Sequence, residues 1–216
     1  MPFLKLRLHA TLTLCAVFLT STACGSKDGG NSVTAEEVCG GLSPTAAESM
    51  EKVTAARRFD RSSVMDDTDK FVNSLLPLLE SNRKEIVEFC RITPRESGKP
   101  PVPRVSFQPT DHKSIPPDPE DEIIGEEKFP IALQAISTYT GADIYFECRT
   151  SDLTIEEGKE PVVRANFSYG HRALRGEGGL DAPWMNMDIL QHVARNVAGH
   201  LGCENHGDIP KRDKPW

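Results

Sequence analysis

Cysteines constrain this chain most strongly, because four of them follow an apolar leader and are spread along the rest of the sequence. They are Cys39, Cys90, Cys148 and Cys203. Proteins that pass into an oxidising compartment use such cysteines for disulfides, and four cysteines allow three pairings. The chain contains no C-x-x-C pair, so the spacing does not favour a redox motif or a zinc cluster. The sequence therefore predicts an exported domain with two disulfides.

Residues 1–23 have the pattern of a secretory signal peptide. Basic Lys5 and Arg7 precede the apolar run TLTLCAVFL, which is too short to span a bilayer as a stable helix. Small residues follow and end at Cys24. Removal of this leader leaves a mature chain whose length is usual for one globular domain.

Two interpretations compete at the end of the leader. Ser21-Thr22-Ala23 fits the small-x-small rule for release after Ala23. The stretch also resembles a bacterial lipoprotein signal, in which Cys24 becomes the lipidated N-terminus, although Ser21 stands where Leu is usual. Attachment of fatty-acyl chains such as palmitate to Cys24 removes the odd cysteine of the mature chain. We therefore favour a lipid anchor on Cys24, with 24–33 as a flexible tether.

Residues 34–206 are predicted to form one α+β domain, followed by a loose polar tail over 207–216. The predicted domain has an N-terminal helical hairpin, a small antiparallel sheet of about three strands, and a C-terminal helix packed on that sheet. With 38% hydrophobic residues the chain can bury a core, so the disulfides would reinforce the fold rather than replace the core.

The helical hairpin is inferred from apolar residues that recur at three- and four-residue spacing. The pattern predicts one helix over about 43–58 and another over about 63–90, with Pro77 as a kink. Cys39 then precedes the first helix and Cys90 ends the second, at the open end of the hairpin. A Cys39–Cys90 disulfide would clamp that end.

Alternation of apolar and polar residues predicts strands over about 105–108, 143–150 and 162–169. Apolar residues at helical spacing predict helices over about 129–139 and 183–201. The first of these strands is expected at an edge, because prolines flank it. Cys148 falls on the apolar face of its strand, and Cys203 follows the last helix. A Cys148–Cys203 disulfide would join the sheet to that helix.

No group of residues in the sequence predicts catalysis or metal binding. His192, His200 and His206 are eight and six residues apart, whereas a helical metal pair needs a spacing of three or four. We therefore expect solvent-exposed histidines. Ser168 and His171 would form a catalytic dyad only with an orienting acid, and none can be assigned. No catalytic residue, metal ligand or cofactor is predicted.

The charge of the chain argues against one class of partner. The formal net charge is -7, and loss of Lys5 and Arg7 with the leader brings it near -9. A chain without a basic footprint does not neutralise phosphates, so no nucleic-acid partner is expected. Membrane contact is expected through the lipid on Cys24 rather than through charge.

Several stretches resemble a group of secreted lipoproteins of streptomycetes and related actinobacteria. They are STAC before a Gly/Ser-rich tether, VCGGLSPTAAESMEKVTAARRF, IYFEC and VARNVAGHLGCENHG. The resemblance implies export and anchoring to the outer face of the cytoplasmic membrane, or secretion if Cys24 is not lipidated. It implies no activity, ligand or catalytic residue.

Together these features predict a lipid-anchored, exported surface protein that acts as a non-catalytic binding or accessory module. Its protein or small-molecule partner is not identified by the sequence. Two alternatives stay open, a hydrolase that acts on envelope material through an unrecognised active site, and a lipoprotein that regulates a partner protein.

Overall fold

The computed structural model describes residues 31–65, 67–95, 102–117, 126–151, 153, 160–169 and 181–216. The leader, Cys24 and His171 lie outside the described residues. In chain order the helices and strands are β1 (Ser32–Val33), α1 (Pro44–Thr54), β2 (Phe59–Asp60), α2 (Thr68–Glu80), β3 (Val87–Arg91), β4 (Arg104–Thr110), β5 (Glu127–Phe129), β6 (Gln134–Thr138), β7 (Gly141–Glu147), β8 (Val162–Ser168) and α3 (Ala182–His200).

Six of the described strands form one antiparallel sheet in the order β3-β4-β8-β7-β6-β5, and β1 pairs separately with β2. Phe107 lies opposite Ala165, which in turn lies opposite Ile144. Directly opposed residues share a face of the sheet, and all three of these side chains are fully buried. Their row belongs to the inner, apolar face of the sheet.

Helix α3 covers the inner face and contacts β6, β7 and β8. Its apolar residues recur at helical spacing, and Leu190, Val193 and Val197 are almost completely buried. Complete burial of one such side chain stabilises the fold by about 1.5–3 kcal/mol. The α+β class and the packing of the C-terminal helix on the sheet agree with the sequence prediction.

One polar side chain of α3 also faces this interface. Asn186 is fully buried, and its Nδ2 donates to the Thr138 carbonyl at 2.8 Å. The Tyr169 hydroxyl lies 3.1 Å from Asn186 Oδ1 and 2.9 Å from the Tyr139 carbonyl. Burial raises the pKa of Tyr169 to about 12, so the hydroxyl keeps its proton. These bonds satisfy the buried amide and fix α3 against the β6–β7 hairpin.

Two disulfides crosslink the described chain, Cys39–Cys90 and Cys148–Cys203. The Cα–Cα distances are 5.4 Å and 4.6 Å, within the usual range for disulfides. Both pairs are the ones expected from the sequence, among the three possible pairings. Such bonds are typical of proteins in an oxidising, extracytoplasmic compartment.

The predicted helical hairpin is not formed. Helix α1 packs against α3, whereas α2 packs against α3 and β4. Helix α2 ends at Glu80, and Asn82 follows in the left-handed conformation with φ of 49°. Because the helix stops there, Cys90 lies on β3 rather than at the end of a helix. The first disulfide therefore ties the turn before α1 to an edge strand.

The sheet is larger than predicted because one expected helix is a strand. Residues of the predicted helix over 129–139 form β6, which pairs with β7 from Gln134↔Tyr145 to Thr138↔Gly141. Ala135 and Ser137 are buried while Ile136 is partly exposed, which is the two-residue period of a strand. β-Branched residues in this stretch favour the extended conformation.

The strand predicted at an edge lies inside the sheet, since β4 pairs with both β3 and β8. Pairing with β3 stops opposite Phe107. Pro109 therefore lies beyond the part of β4 that has two neighbours, where a missing N–H is tolerated.

Among the described residues, no helix is both long and apolar enough to cross a membrane.

Removal of either disulfide should lower stability by a similar amount. The bonds span 51 and 55 residues of sequence, and the chain-entropy model gives about 4 kcal/mol for loops of this length. We expect the Cys39→Ala/Cys90→Ala and Cys148→Ala/Cys203→Ala double variants each to lose about 4 kcal/mol of unfolding free energy. Urea denaturation measures both losses, and a loss below about 1 kcal/mol for either variant would contradict this account.

Candidate functional site

The cysteines predicted as functional positions divide into two groups. Cys39, Cys90, Cys148 and Cys203 are all disulfide-bonded and almost completely buried. Their role is therefore architectural. Cys24, the predicted lipid attachment point, lies outside the described residues.

The three C-terminal histidines do not share one environment. His192 was predicted to be exposed, but it is half-buried, with Nε2 3.0 Å from the Gly41 carbonyl. Burial lowers the pKa of His192. His200 and His206 are exposed, as predicted, and His200 Nδ1 lies 3.3 Å from Asp69 Oδ1. His192 is less exposed than the other two histidines because it contacts the turn before α1. The helical pattern of the sequence does not show this tertiary contact.

The C-terminal tail is packed against the domain rather than loose. Gln191 Nε2 donates to the Pro210 carbonyl at 2.7 Å, and Trp216 Nε1 donates to Gln191 Oε1 at 2.9 Å. The Trp216 ring meets Phe129 edge to face, with 4.9 Å between the ring centroids. Ile209 is fully buried. Aromatic contacts and hydrogen bonds to α3 thus hold a segment whose polar composition predicts disorder.

A groove, here called the tail groove, lies between the start of α1, the middle of α3 and the C-terminal tail. It encloses about 150 Å³. Pockets for drug-sized ligands measure about 300–1,000 Å³, so the tail groove has room for one small group. Its lining consists of Ser43, Thr45, Ala46, Asp188, Gln191, His192, Arg195, Asn196, Pro210, Lys211, Arg212, Asp213 and Lys214.

Cationic side chains outnumber acidic ones in this lining by four to two, in a chain whose formal net charge is -7. The four cations are Arg195, Lys211, Arg212 and Lys214, and the two acids are Asp188 and Asp213. The first turn of α1 adds the positive end of a helix dipole. The formal charge of the lining is therefore opposite in sign to that of the whole chain.

Contacts made by the C-terminal tail position two of these cations, Arg212 of the tail and Arg195 of α3. The Arg212 guanidinium lies 3.7 Å from the centroid of the Trp216 ring, a cation–π contact. Arg195 donates to the Ile209 carbonyl. The groove thus depends on the packing of the tail, which supplies five of the thirteen lining residues.

Asp188 lies at the inner side of the tail groove and is 9% exposed. Ser49 Oγ donates to its Oδ2 at 3.1 Å. Burial raises the pKa of Asp188, and the hydrogen bond from Ser49 opposes that change. Ionisation of this carboxylate therefore lowers the free energy of unfolding. Its negative charge also partly offsets the cations of the groove.

Replacement of Asp188 by Asn tests whether ionisation of the buried carboxylate lowers the free energy of unfolding. The folded-state pKa of Asp188 is raised, so the wild-type protein loses stability as the pH rises through that pKa. Asp188→Asn removes this titration. We expect the unfolding free energy of D188N, relative to wild type, to increase from pH 3.5 to pH 7. Urea denaturation at both pH values checks the direction. A difference that stays constant or falls would show that burial does not raise the pKa.

A second polar cluster lies where β7 and β8 adjoin the chain after β4. His112 Nε2 is 3.2 Å from Glu147 Oε1, and Arg149 Nη2 is 2.7 Å from an oxygen of both Glu147 and Glu160. Among the described residues this is the one place where three metal-ligating side chains converge, since ligand atoms of His112, Glu147 and Glu160 all lie within 4.8 Å of one another.

Sequence reasoning missed both the groove and the cluster. Glu147 lies 35 residues after His112 and 13 before Glu160, and no local motif has such spacing. The strand register brings the three together, because Glu147 is opposite Val162 and Val162 is opposite Thr110. A correct pairing of β4 with β8 would have revealed the cluster. Ser168 is exposed at the end of β8, and His171, with which no catalytic dyad was predicted, lies outside the described residues.

Comparison of the chain with protein-family models, with curated proteins and with solved structures gave no match.

Proposed function

We propose that the chain is an exported bacterial surface protein, held at the outer face of the cytoplasmic membrane by lipid on Cys24, that acts as a non-catalytic binding module. Its ligand presents a small anionic group, a carboxylate or a phosphate, to the tail groove. The observation that carries the proposal is the excess of cations in a groove of an otherwise acidic chain.

The two disulfides support export, because cytosolic proteins rarely keep such bonds. The leader and the small residues before Cys24 support the anchor. A lipid-modified N-terminus holds a protein at a membrane without a spanning helix. The Gly- and Ser-containing tether after Cys24 would separate the domain from the bilayer.

The size of the tail groove supports a small group rather than an extended chain. About 150 Å³ admits one carboxylate or phosphate with a few waters. Lys211 and Lys214 belong to the tail segment that lines the groove, and both side chains are exposed. Because they stay in contact with water, they attract an anion without a large desolvation cost. The rest of the ligand would extend into solvent.

Inorganic phosphate provides a direct test of the groove. We expect isothermal titration calorimetry to show saturable one-to-one binding to the purified protein in low salt. Lys211→Gln/Lys214→Gln should weaken it by about fivefold or more, because each cation contributes about 1 kcal/mol to an anion some 4 Å away in water. The Lys70→Gln/Lys113→Gln double variant is the matched control, since it removes the same charge outside the lining.

The control variant should bind phosphate within about twofold of wild type, as a distant exposed charge is screened. Absence of saturable binding would overturn the anion-binding part of the proposal. Equal weakening in both double variants would do the same, because it would assign the effect to net charge rather than to the groove.

The anchor is tested separately by Cys24→Ala in the producing bacterium. We expect this variant to leave the membrane fraction, since the lipid supplies the membrane affinity. Cys15→Ala, which changes a cysteine inside the leader, is the matched control and should stay with the membrane. Fractionation followed by immunoblotting measures both. Unchanged membrane association of C24A would refute lipidation at this residue.

A further inference from the structure

Three side chains from separate segments converge at the end of the outer face of the sheet. His112 belongs to the turn after β4, Glu147 is the last residue of β7, and Glu160 lies just before β8. Their ligand atoms lie within 4.8 Å of one another. An imidazole nitrogen with two carboxylate oxygens is a ligand set that suits zinc.

The distance between two of the ligand atoms already matches a zinc site. Zn–N and Zn–O bonds of about 2.0–2.2 Å give an edge of about 3.4 Å in a tetrahedron. His112 Nε2 and Glu147 Oε1 are 3.2 Å apart. The Glu160 side chain is 42% exposed, so it can move by the ångström or so that closes the third position. Solvent reaches the site and can supply a fourth ligand.

The neighbours of the three side chains hold them in place. Arg149 Nη2 contacts Glu147 Oε2 and Glu160 Oε1 at 2.7 Å each. It thereby keeps two like charges together while Glu147 Oε1 faces the imidazole. Outer contacts of this kind orient metal-ligating carboxylates. Two carboxylates beside one guanidinium leave an excess of one negative charge, which favours a cation.

The turn that carries His112 is also fixed. Asp111 Oδ1 accepts hydrogen bonds from the amide and the hydroxyl of Ser114, each at 2.8 Å. Asp111 Oδ2 accepts from Lys84 Nζ at 2.7 Å. These bonds hold the turn in one conformation. A fixed turn reduces the entropy that a metal ion must overcome on binding.

We propose that His112, Glu147 and Glu160 form a zinc-binding site, with water as the fourth ligand and Arg149 as a positioning residue. The imidazole selects zinc over calcium and magnesium, which prefer oxygen ligands alone. The ion would join the turn after β4 and the end of β7 to the segment before β8, at a residue next to the disulfide-bonded Cys148. This proposal is independent of the tail groove.

Zinc titration of the purified, disulfide-bonded protein without an affinity tag tests the site. We expect calorimetry to show one bound zinc ion per chain and scanning calorimetry to show a higher Tm with zinc. His112→Gln and Glu160→Gln should each weaken binding by about tenfold or more. His200→Gln removes an exposed imidazole elsewhere and should stay within about twofold of wild type.

Circular dichroism of each variant checks that the fold is retained. Because two independent ligand variants are used, misfolding of one leaves the other to decide. Binding that persists unchanged in both H112Q and E160Q would overturn the proposal, and so would the absence of zinc binding by wild type. Equal binding of Ca²⁺ would overturn it too, as it would identify the cluster as a general acidic surface.

Discussion

The apolar contact between α3 and the inner face of the sheet is the interaction on which the other features of the domain depend. Through it α3 covers β6, β7 and β8, and Leu190, Val193 and Val197 of the helix are almost completely buried. The Cys148–Cys203 disulfide fixes this contact just beyond the C-terminal end of α3, and the Tyr169–Asn186 hydrogen bond fixes it near the N-terminal end. Because α3 is fixed in this way, it offers its opposite side to α1 and to the C-terminal tail, which together form the tail groove.

Strong local patterns predicted much of the fold. The strands near 143–150 and 162–169, the last helix and the choice of disulfide partners agree with the structure. The helical hairpin and the helix over 129–139 were wrong, because short apolar runs fit a helix and a strand equally well and only pairing with neighbours decides between them. Six strands in place of about three follow from those two errors.

The candidate sites were less predictable than the fold. The tail groove needs the tail to pack through Trp216 and Gln191, a contact between residues whose composition indicates a solvated end. The His112 cluster needs the register of three strands. Neither carries a motif, since their residues are brought together by tertiary structure alone. Both surfaces are polar. One is a groove with an excess of cations on the helical side, and the other is the proposed metal site at the end of the sheet.

Because the Cys148–Cys203 disulfide joins the sheet to the segment that follows α3, peptide mapping of the non-reduced protein tests this arrangement most directly. Proteolysis followed by mass spectrometry should identify one linked peptide pair that contains Cys39 and Cys90 and another that contains Cys148 and Cys203, with both pairs released on reduction. A peptide that joins Cys39 to Cys148 or to Cys203 would contradict the account, because in this fold Cys39 is bonded to Cys90 and Cys148 to Cys203.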